Sequence, residues 1–354
     1  MLGQEPARRT LAQLLRRQAQ VAAGLHEQSH GAIAFGPTGA GKTMLCRAMC
    51  GISGLAFADV NATQYTDKGY IGADLSQIFL SLIQAALRAE TADRAAKGKK
   101  QRRQRPDSIL KTADELLEPA VKRAEVGIVL LDEFDKWMIS DAHDPAGANK
   151  QRQGAINASE SRNVGKKLQA ELLKIVEGGE VWVSDAEDEL GIAFDTTRVL
   201  IICAGAFVDL ERIMSRRLGR DLKGQPELWE QSIPRDFEEY GILPELTGRL
   251  STHISFKPLR EETMIALMAE EGGVLDEYRR RFAMEDTELR MDEAGELMVA
   301  KSALQLGIGA RGLRHTMERV FRTALYDAGA HHGRGVVLLD AQAAQSKKAS
   351  YRPL

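Results

Sequence analysis

The sequence predicts an α/β fold: a parallel sheet flanked by helices, continued by a smaller, mostly helical C-terminal domain. Three observations predict it. A complete G-x-x-x-x-G-K-[ST] loop, Gly36-Pro37-Thr38-Gly39-Ala40-Gly41-Lys42-Thr43, lies between an apolar run (Ala32-Ile33-Ala34-Phe35) and a helix-like stretch at 44–49. Uniformly apolar runs recur at 127–131 and 199–203, the pattern of parallel strands buried on both faces. Beyond Lys257-Pro258 the apolar spacing becomes largely helical. The expected division is a large domain at 1–256 and a small one at 257–354.

Each element has a local reason. An opening helix from about Pro6 to Ala23 sets Leu11, Leu14 and Leu15 against a basic side. A short strand is expected at Leu55-Ala56-Phe57-Ala58. An amphipathic helix starts at Asp74, with Gln77 three residues on as in a capping box, and carries Leu75, Ile78, Phe79, Leu82 and Ile83. A basic insertion, about 91–107, holds Lys97, Lys99, Lys100, Arg102, Arg103 and Arg105 and reads as exposed chain. A polar, loop-like stretch covers about 140–165. The next helix bears Leu168, Leu172, Ile175 and Val176 and stops at Gly178-Gly179. Strand is expected at Val181-Trp182-Val183. The final domain reads as helices at 261–281, 292–303 and 311–328, closed by one edge strand at 335–339.

Bulk properties narrow the function classes. Hydrophobic residues make up 44% and charged residues 28%, and the net charge is −2, so no global field favours nucleic acid or a membrane. No apolar run approaches a membrane span and the first residues do not form a signal peptide, so a cytoplasmic location is expected. The three cysteines, Cys46, Cys50 and Cys203, fall in apolar contexts and read as buried thiols. The seven histidines show no metal spacing.

The glycine loop carries the chemistry. Its glycines let successive N–H groups converge on a phosphate chain, and the following helix adds its positive N-terminus. Lys42 reaches the β- and γ-phosphates, and the Thr43 hydroxyl suits Mg²⁺. Asp132-Glu133 ends an apolar strand. Asp132 there can hold Mg²⁺ and Glu133 can orient and deprotonate a water. ATP and Mg²⁺ are the expected ligands, and ATP hydrolysis the expected reaction. Gly69-Tyr70-Ile71-Gly72 sets an aromatic and an aliphatic residue between glycines that make a flexible tip.

Taken in order, these motifs resemble the ClpX family of AAA+ protein unfoldases, in the Clp/HslU branch, over nearly the whole chain. Residues 2–5 (LGQE) look like the box bordering the adenine pocket, and 36–43 like the Walker A loop. Residues 69–72 match the pore loop, 127–136 (GIVLLDEFDK) the Walker B segment, 172–178 a helix of the same core, and 199–207 (VLIICAGAF) the sensor-1 strand. Residues 240–250 (YGILPELTGRL) resemble the box of the arginine finger, and 309–314 (GARGLR) the sensor-2 box. The resemblance implies that Arg249 reaches the γ-phosphate of a neighbouring subunit and that Arg311 reaches the phosphates from the small domain. It also implies a ring of six subunits that pulls on a protein substrate.

The chain departs from that pattern in four places. The family's zinc-binding N-terminal domain has no counterpart in these residues, so substrate recruitment is expected to differ. The second pore loop, at 184–191, carries Asp185, Glu187, Asp188 and Glu189, an acidic entrance that favours basic substrates. Where the family docks the ClpP peptidase through an aliphatic-Gly-Phe tripeptide, the nearest match is Leu218-Gly219-Arg220, and a charge in an apolar docking pocket is costly. The insertion at 94–105 and the polar segment at 140–165 have no counterpart. No nucleophile motif for proteolysis is present. Two other readings stay open: the ATPase subunit of a Clp-type protease, and a nucleotide-switched assembly factor contacting nucleic acid through Lys97 to Arg105.

Overall fold

The computed structural model describes residues 3–65, 75–101, 112–138, 153–184, 191–222, 225–331 and 334–353. The chain divides into two compact units. The larger comprises Pro6–Gly36 and Lys42–Ser255; the smaller comprises Met1–Glu5, Pro37–Gly41 and Phe256–Leu354.

The larger unit is built on five parallel strands. They are β1 (Ala32–Phe35), β2 (Phe57–Asn61), β3 (Ile128–Asp132), β6 (Leu200–Gly205) and β7 (Thr252–Ser255), in the order β2-β3-β6-β1-β7. The register is explicit: Phe35 pairs with Gly205 and Ser255, and Leu131 with Cys203. Every residue of β1 and β6 is buried, which is why these strands read as unbroken apolar runs rather than alternating ones. Helices α1 (Glu5–Ala22), α2 (Lys42–Ile52), α3 (Ile78–Gln101), α4 (Thr112–Ala124) and α5 (Gln153–Glu177) belong to the same segment, with a hairpin of β4 (Glu180–Val183) and β5 (Ile192–Asp195). Helices α6 (Leu210–Leu218), α7 (Pro234–Tyr240) and α8 (Pro244–Arg249) lead into β7. Phe79 stacks on Phe194 at 4.7 Å, and Phe237 meets the edges of Phe35 and Phe207 at 5.2 and 5.8 Å.

The smaller unit has its own core around Met264, Tyr278, Phe282, Met317 and Phe321. Its helices are α9 (Glu261–Ala269), α10 (Val274–Ala283), α11 (Glu293–Gln305), α12 (Arg311–His331) and α13 (Ala341–Ser346). A three-stranded sheet joins them: β8 (Thr287–Met291), β9 (Gly335–Leu339) and β10 (Ser350–Pro353). Asp292 fixes two helix starts at once, accepting from Gly295 N at 2.8 Å and from Ala341 N at 3.1 Å. A cap of that kind contributes about 1 kcal/mol.

Several expectations are corrected. The basic stretch from residue 94 is not open chain as far as Gln101: α3 runs through it, because alanine, arginine and lysine are strong helix formers. The segment read as loop to residue 165 is helical from Gln153. The second strand starts two residues later, at Phe57. The helix expected at 261–281 breaks before Gly272, whose φ is 72°. Strand 335–339 is the middle of its sheet rather than an edge. Its neighbours were hidden, since β8 reads TELRM and β10 reads SYRP, both too short and polar to stand out. The helix expected from Asp74 opens as a 3₁₀ turn, Leu75–Gln77, and Asp74 itself lies outside the described residues.

Candidate nucleotide site

Within the larger unit, the carboxyl ends of β1 and β3 carry the predicted residues, with β6 between them. Gly36 leaves β1 at φ 141°, and the loop turns again at Gly39 (73°) and Gly41 (93°), conformations that only glycine adopts without strain. Lys42 opens α2 and is 8% exposed, and its ammonium donates to the Gly36 carbonyl at 2.7 Å. The Thr43 hydroxyl donates to Asp132 Oδ2 at 2.6 Å. Asp132 Oδ1 in turn accepts from the Glu133 N–H at 2.9 Å. Glu133 sits in the left-handed region at φ 58°, which costs a non-glycine residue roughly 1–2 kcal/mol. Such strain persists where surrounding structure enforces it, and here it lifts the Glu133 side chain out to solvent while Phe134 is buried.

The sequence reading missed Asp135. It is 5% exposed and accepts from the Phe207 N–H at 3.3 Å. Phe207, just beyond β6, is also left-handed, at φ 47°. A Cβ on Gly205 would lie 2.7 Å from Asp135 Oδ1, so the end of β6 must be glycine for this carboxylate to fit. Lys136 Nζ is 3.7 Å from Asp135 Oδ2, and burial, with the charges of Asp135 and Asp209, holds the Tyr240 phenol well above its ordinary range. A signal was present: a second aspartate two residues after Glu133, where the chain should already be leaving the core.

The donor set suits Mg²⁺. Thr43 and Asp132 offer hard oxygens at hydrogen-bond distance. Among the described residues no cluster of three or more His, Cys, Asp or Glu could hold a metal unaided. That is the arrangement expected for a cation whose remaining ligands are phosphate oxygens and water.

Arg249 stands elsewhere. It ends α8, and Thr252 at the start of β7 pairs with Ala32 at the start of β1. A Cβ on Gly31 would be 3.4 Å from the Arg249 carbonyl. Arg249 therefore lies at the amino edge of the sheet, a strand length from where the glycine loop leaves its carboxyl edge. It is half exposed and pairs with Glu177 at 3.4 Å.

Within the smaller unit, the loop tip Pro37–Gly41 touches the start of α12. Ala310 N donates to Gly39 O at 3.2 Å, and Arg311, the next residue, is exposed. Thr38 is exposed, whereas Ala40 is buried and donates to Pro37 O at 3.3 Å.

Gly69, Tyr70, Ile71 and Gly72 lie outside the described residues, as do Asp185, Glu187, Asp188, Glu189, Arg102, Arg103 and Arg105. The three cysteines are free and buried, and burial raises each thiol's pKa, so they are inert. Among the described residues, no helix is long and apolar enough to cross a membrane.

Comparison with known proteins follows the same outline. A family model described as AAA domain (Cdc48 subfamily) matches residues 28–253, a span that includes the glycine loop, Asp132 at the end of β3, Glu133 just after it, and Arg249. The chain is 29% identical over 327 residues to the ATP-dependent Clp protease ATP-binding subunit ClpX of Treponema denticola, covering 86% of this chain and 68% of that protein. It is 28% identical over 350 residues to the protein of the same name from Porphyromonas gingivalis, covering 92% of this chain and 74% of that protein.

Proposed function

This chain belongs to the AAA domain family (Cdc48 subfamily) and is an ATPase, and we propose that it uses ATP hydrolysis, in a ring of subunits, to pull on and unfold a protein substrate. The observation that carries the reading is the split of the machinery between the two edges of one sheet. Lys42, Thr43, Asp132 and Glu133 gather at the carboxyl edge, while Arg249 lies at the other. An arginine so placed stands a strand length from the end of β1, at an edge from which it can serve a neighbour's loop.

The roles follow from chemistry. Lys42 would leave the Gly36 carbonyl for the β- and γ-phosphates and neutralise charge there. Thr43 and Asp132 would hold Mg²⁺, which when bound offsets charge on the phosphate oxygens. Glu133 orients the attacking water and takes its proton. Arg249 of an adjoining subunit stabilises the charge that develops on the transferred group, and Arg311, at the start of α12, approaches the phosphates from the small domain, 257–354. Tyr70 and Ile71, flanked by Gly69 and Gly72, are the proposed grip on the substrate. Six subunits, a cytoplasmic location and no peptidase activity of its own complete the reading.

The relatives are named as subunits of a Clp protease, which keeps a second reading: the ATPase partner of a ClpP-type peptidase. One observation disfavours it. Gly219 caps α6 at φ 64°, Arg220 is exposed, and the chain then turns inward to bury Leu222, Leu228 and Trp229. Among the described residues, the stretch offers no apolar tip to a docking pocket.

The test is ATP-dependent unfolding of a tagged fluorescent protein. Tyr70→Ala should abolish unfolding while ATP turnover survives, and unimpaired unfolding would refute the grip. Glu133→Gln should lower turnover about a thousandfold, the scale of a lost general base, and retain bound ATP. Turnover at the parent rate would refute its role.

A further inference from the structure

The phosphate-loop tip is held by contacts that the hydrolysis reading does not use. Gly39 and Gly309 meet backbone to backbone. A Cβ on Gly39 would lie 2.1 Å from the Ile308 carbonyl oxygen, and one on Gly309 would lie 2.6 Å from the Gly39 carbonyl carbon. Both are left-handed, at φ 73° and 60°, and the Ala310 N–H donates to the Gly39 carbonyl at 3.2 Å. The adjacent peptide is held by Gln4, whose side chain is 1% exposed. Its Nε2 donates to Ala40 O at 3.3 Å and to Lys257 O at 2.8 Å, and its Oε1 accepts from Lys257 N at 2.9 Å. Two segments remote in sequence, 308–310 and Gln4, thus meet two consecutive peptide units of the loop, and Gln4 is tied in turn to the Lys257 backbone.

A buried amide that spends its donors on backbone carbonyls fixes those carbonyls, since leaving them unmade is costly. Fixing a carbonyl also fixes the plane of its peptide, and with it the N–H of the following residue. We propose that Gln4 and Gly309 are positioning residues that hold the Gly39–Ala40 section in its curled conformation and so set the affinity for nucleotide. The proposal rests on reading this loop as the nucleotide site. It predicts an effect on binding rather than on the chemical step, because both residues hold loop backbone and neither supplies a group to the reacting atoms.

Gly307 supplies a matched control. It too is left-handed, at φ 68°, but a Cβ there meets nothing within 4 Å. Gly307→Ala and Gly309→Ala carry the same backbone strain, and only the second presses on the phosphate loop. In the intact chain, steady-state ATP turnover and equilibrium binding of a fluorescent ADP analogue are measured for the parent, both alanine variants and Gln4→Leu. Gly309→Ala should raise the KM for ATP and the Kd for the analogue about tenfold with a smaller change in kcat, given how steeply misplacement by a fraction of an ångström is felt. Gly307→Ala should stay within about twofold of the parent, and Gln4→Leu should raise both constants about threefold, the loss of about one hydrogen bond. If Gly309→Ala does not fold, Gln4→Leu decides alone. A parent that binds nucleotide, with Gly309→Ala and Gln4→Leu no weaker than Gly307→Ala, overturns the proposal and leaves the site reading intact. A parent that binds no nucleotide overturns both.

Discussion

The two edges of the central sheet are built on opposite principles. At the carboxyl edge three of the four side chains proposed to act on nucleotide are anchored by short bonds to the chain itself, Lys42 at 2.7 Å to Gly36, Thr43 at 2.6 Å to Asp132, and Asp132 at 2.9 Å to the Glu133 backbone, while the Glu133 side chain faces solvent. Two left-handed non-glycine residues, Glu133 and Phe207, are held there around buried Asp135. At the amino edge Arg249 has one long ion pair to Glu177 at 3.4 Å, with both partners about half exposed. A pair of that kind contributes between about 0 and 1 kcal/mol. The difference is the one the proposed function requires: a rigidly bonded carboxyl edge to receive nucleotide, and an amino-edge arginine whose release costs little.

The largest expected effect breaks or upholds this contrast. Arg249→Ala should lower ATP turnover by about a thousandfold or more, the scale of a missing arginine finger, while leaving nucleotide affinity near the parent's. A turnover within a few fold of the parent, measured at concentrations where subunits assemble, would reduce Arg249 to a surface charge. Next in size is Gly205→Ala. Its Cβ would sit 2.7 Å from Asp135 Oδ1, and overpacking of this kind should cost about 2 kcal/mol, read as a lower midpoint in denaturant unfolding. An unchanged midpoint would mean that the carboxyl edge is less tightly built than its distances imply.

The smallest effect concerns the ground beneath Arg249. His253 on β7 faces the Phe237 ring of α7 at 4.7 Å, and its Nδ1 lies 3.2 Å from Ser232 Oγ. Burial lowers its pKa from 6.5, with the Ser232 backbone bond and Asp236 opposing. The folded state therefore takes up the proton less readily than the unfolded chain. Stability is fully present above pH 6.5 and declines as the pH falls through the lowered value in the folded protein. His253→Gln should flatten the loss of Tm between neutral and mildly acid pH. His30, similarly lowered by burial, should leave a residual slope. An identical slope in the variant would show that His253 is solvated.

Much of the carboxyl edge was legible in the sequence because its constraints are local. A glycine loop between an apolar strand and a helix, and two acids at the end of another apolar strand, each declare themselves within ten residues. The register that places β6 between them, and the burial of Asp135 against Gly205, depend on contacts some 70 residues apart in sequence and left only a faint mark. The smaller unit was the least legible. Strands reading TELRM and SYRP hold no run of apolar residues, and the break ahead of Gly272 interrupts a stretch whose helical spacing continues across it. The basic stretch misled for a simple reason: charge marks exposure, but Arg, Lys and Ala are also good helix formers, and α3 runs on to Gln101.

The central claim is that the amino edge of one subunit serves the carboxyl edge of the next. It is tested most directly by mixing. Arg249→Ala and Glu133→Gln subunits, each nearly inactive alone, are combined, and their co-assembly is verified by capture through a tag on one of them. Mixed rings should recover a substantial part of parent ATP turnover, since an Arg249→Ala subunit keeps its own Glu133 and receives Arg249 from its neighbour. Co-assembled rings that hydrolyse no faster than the two variants apart would contradict the account.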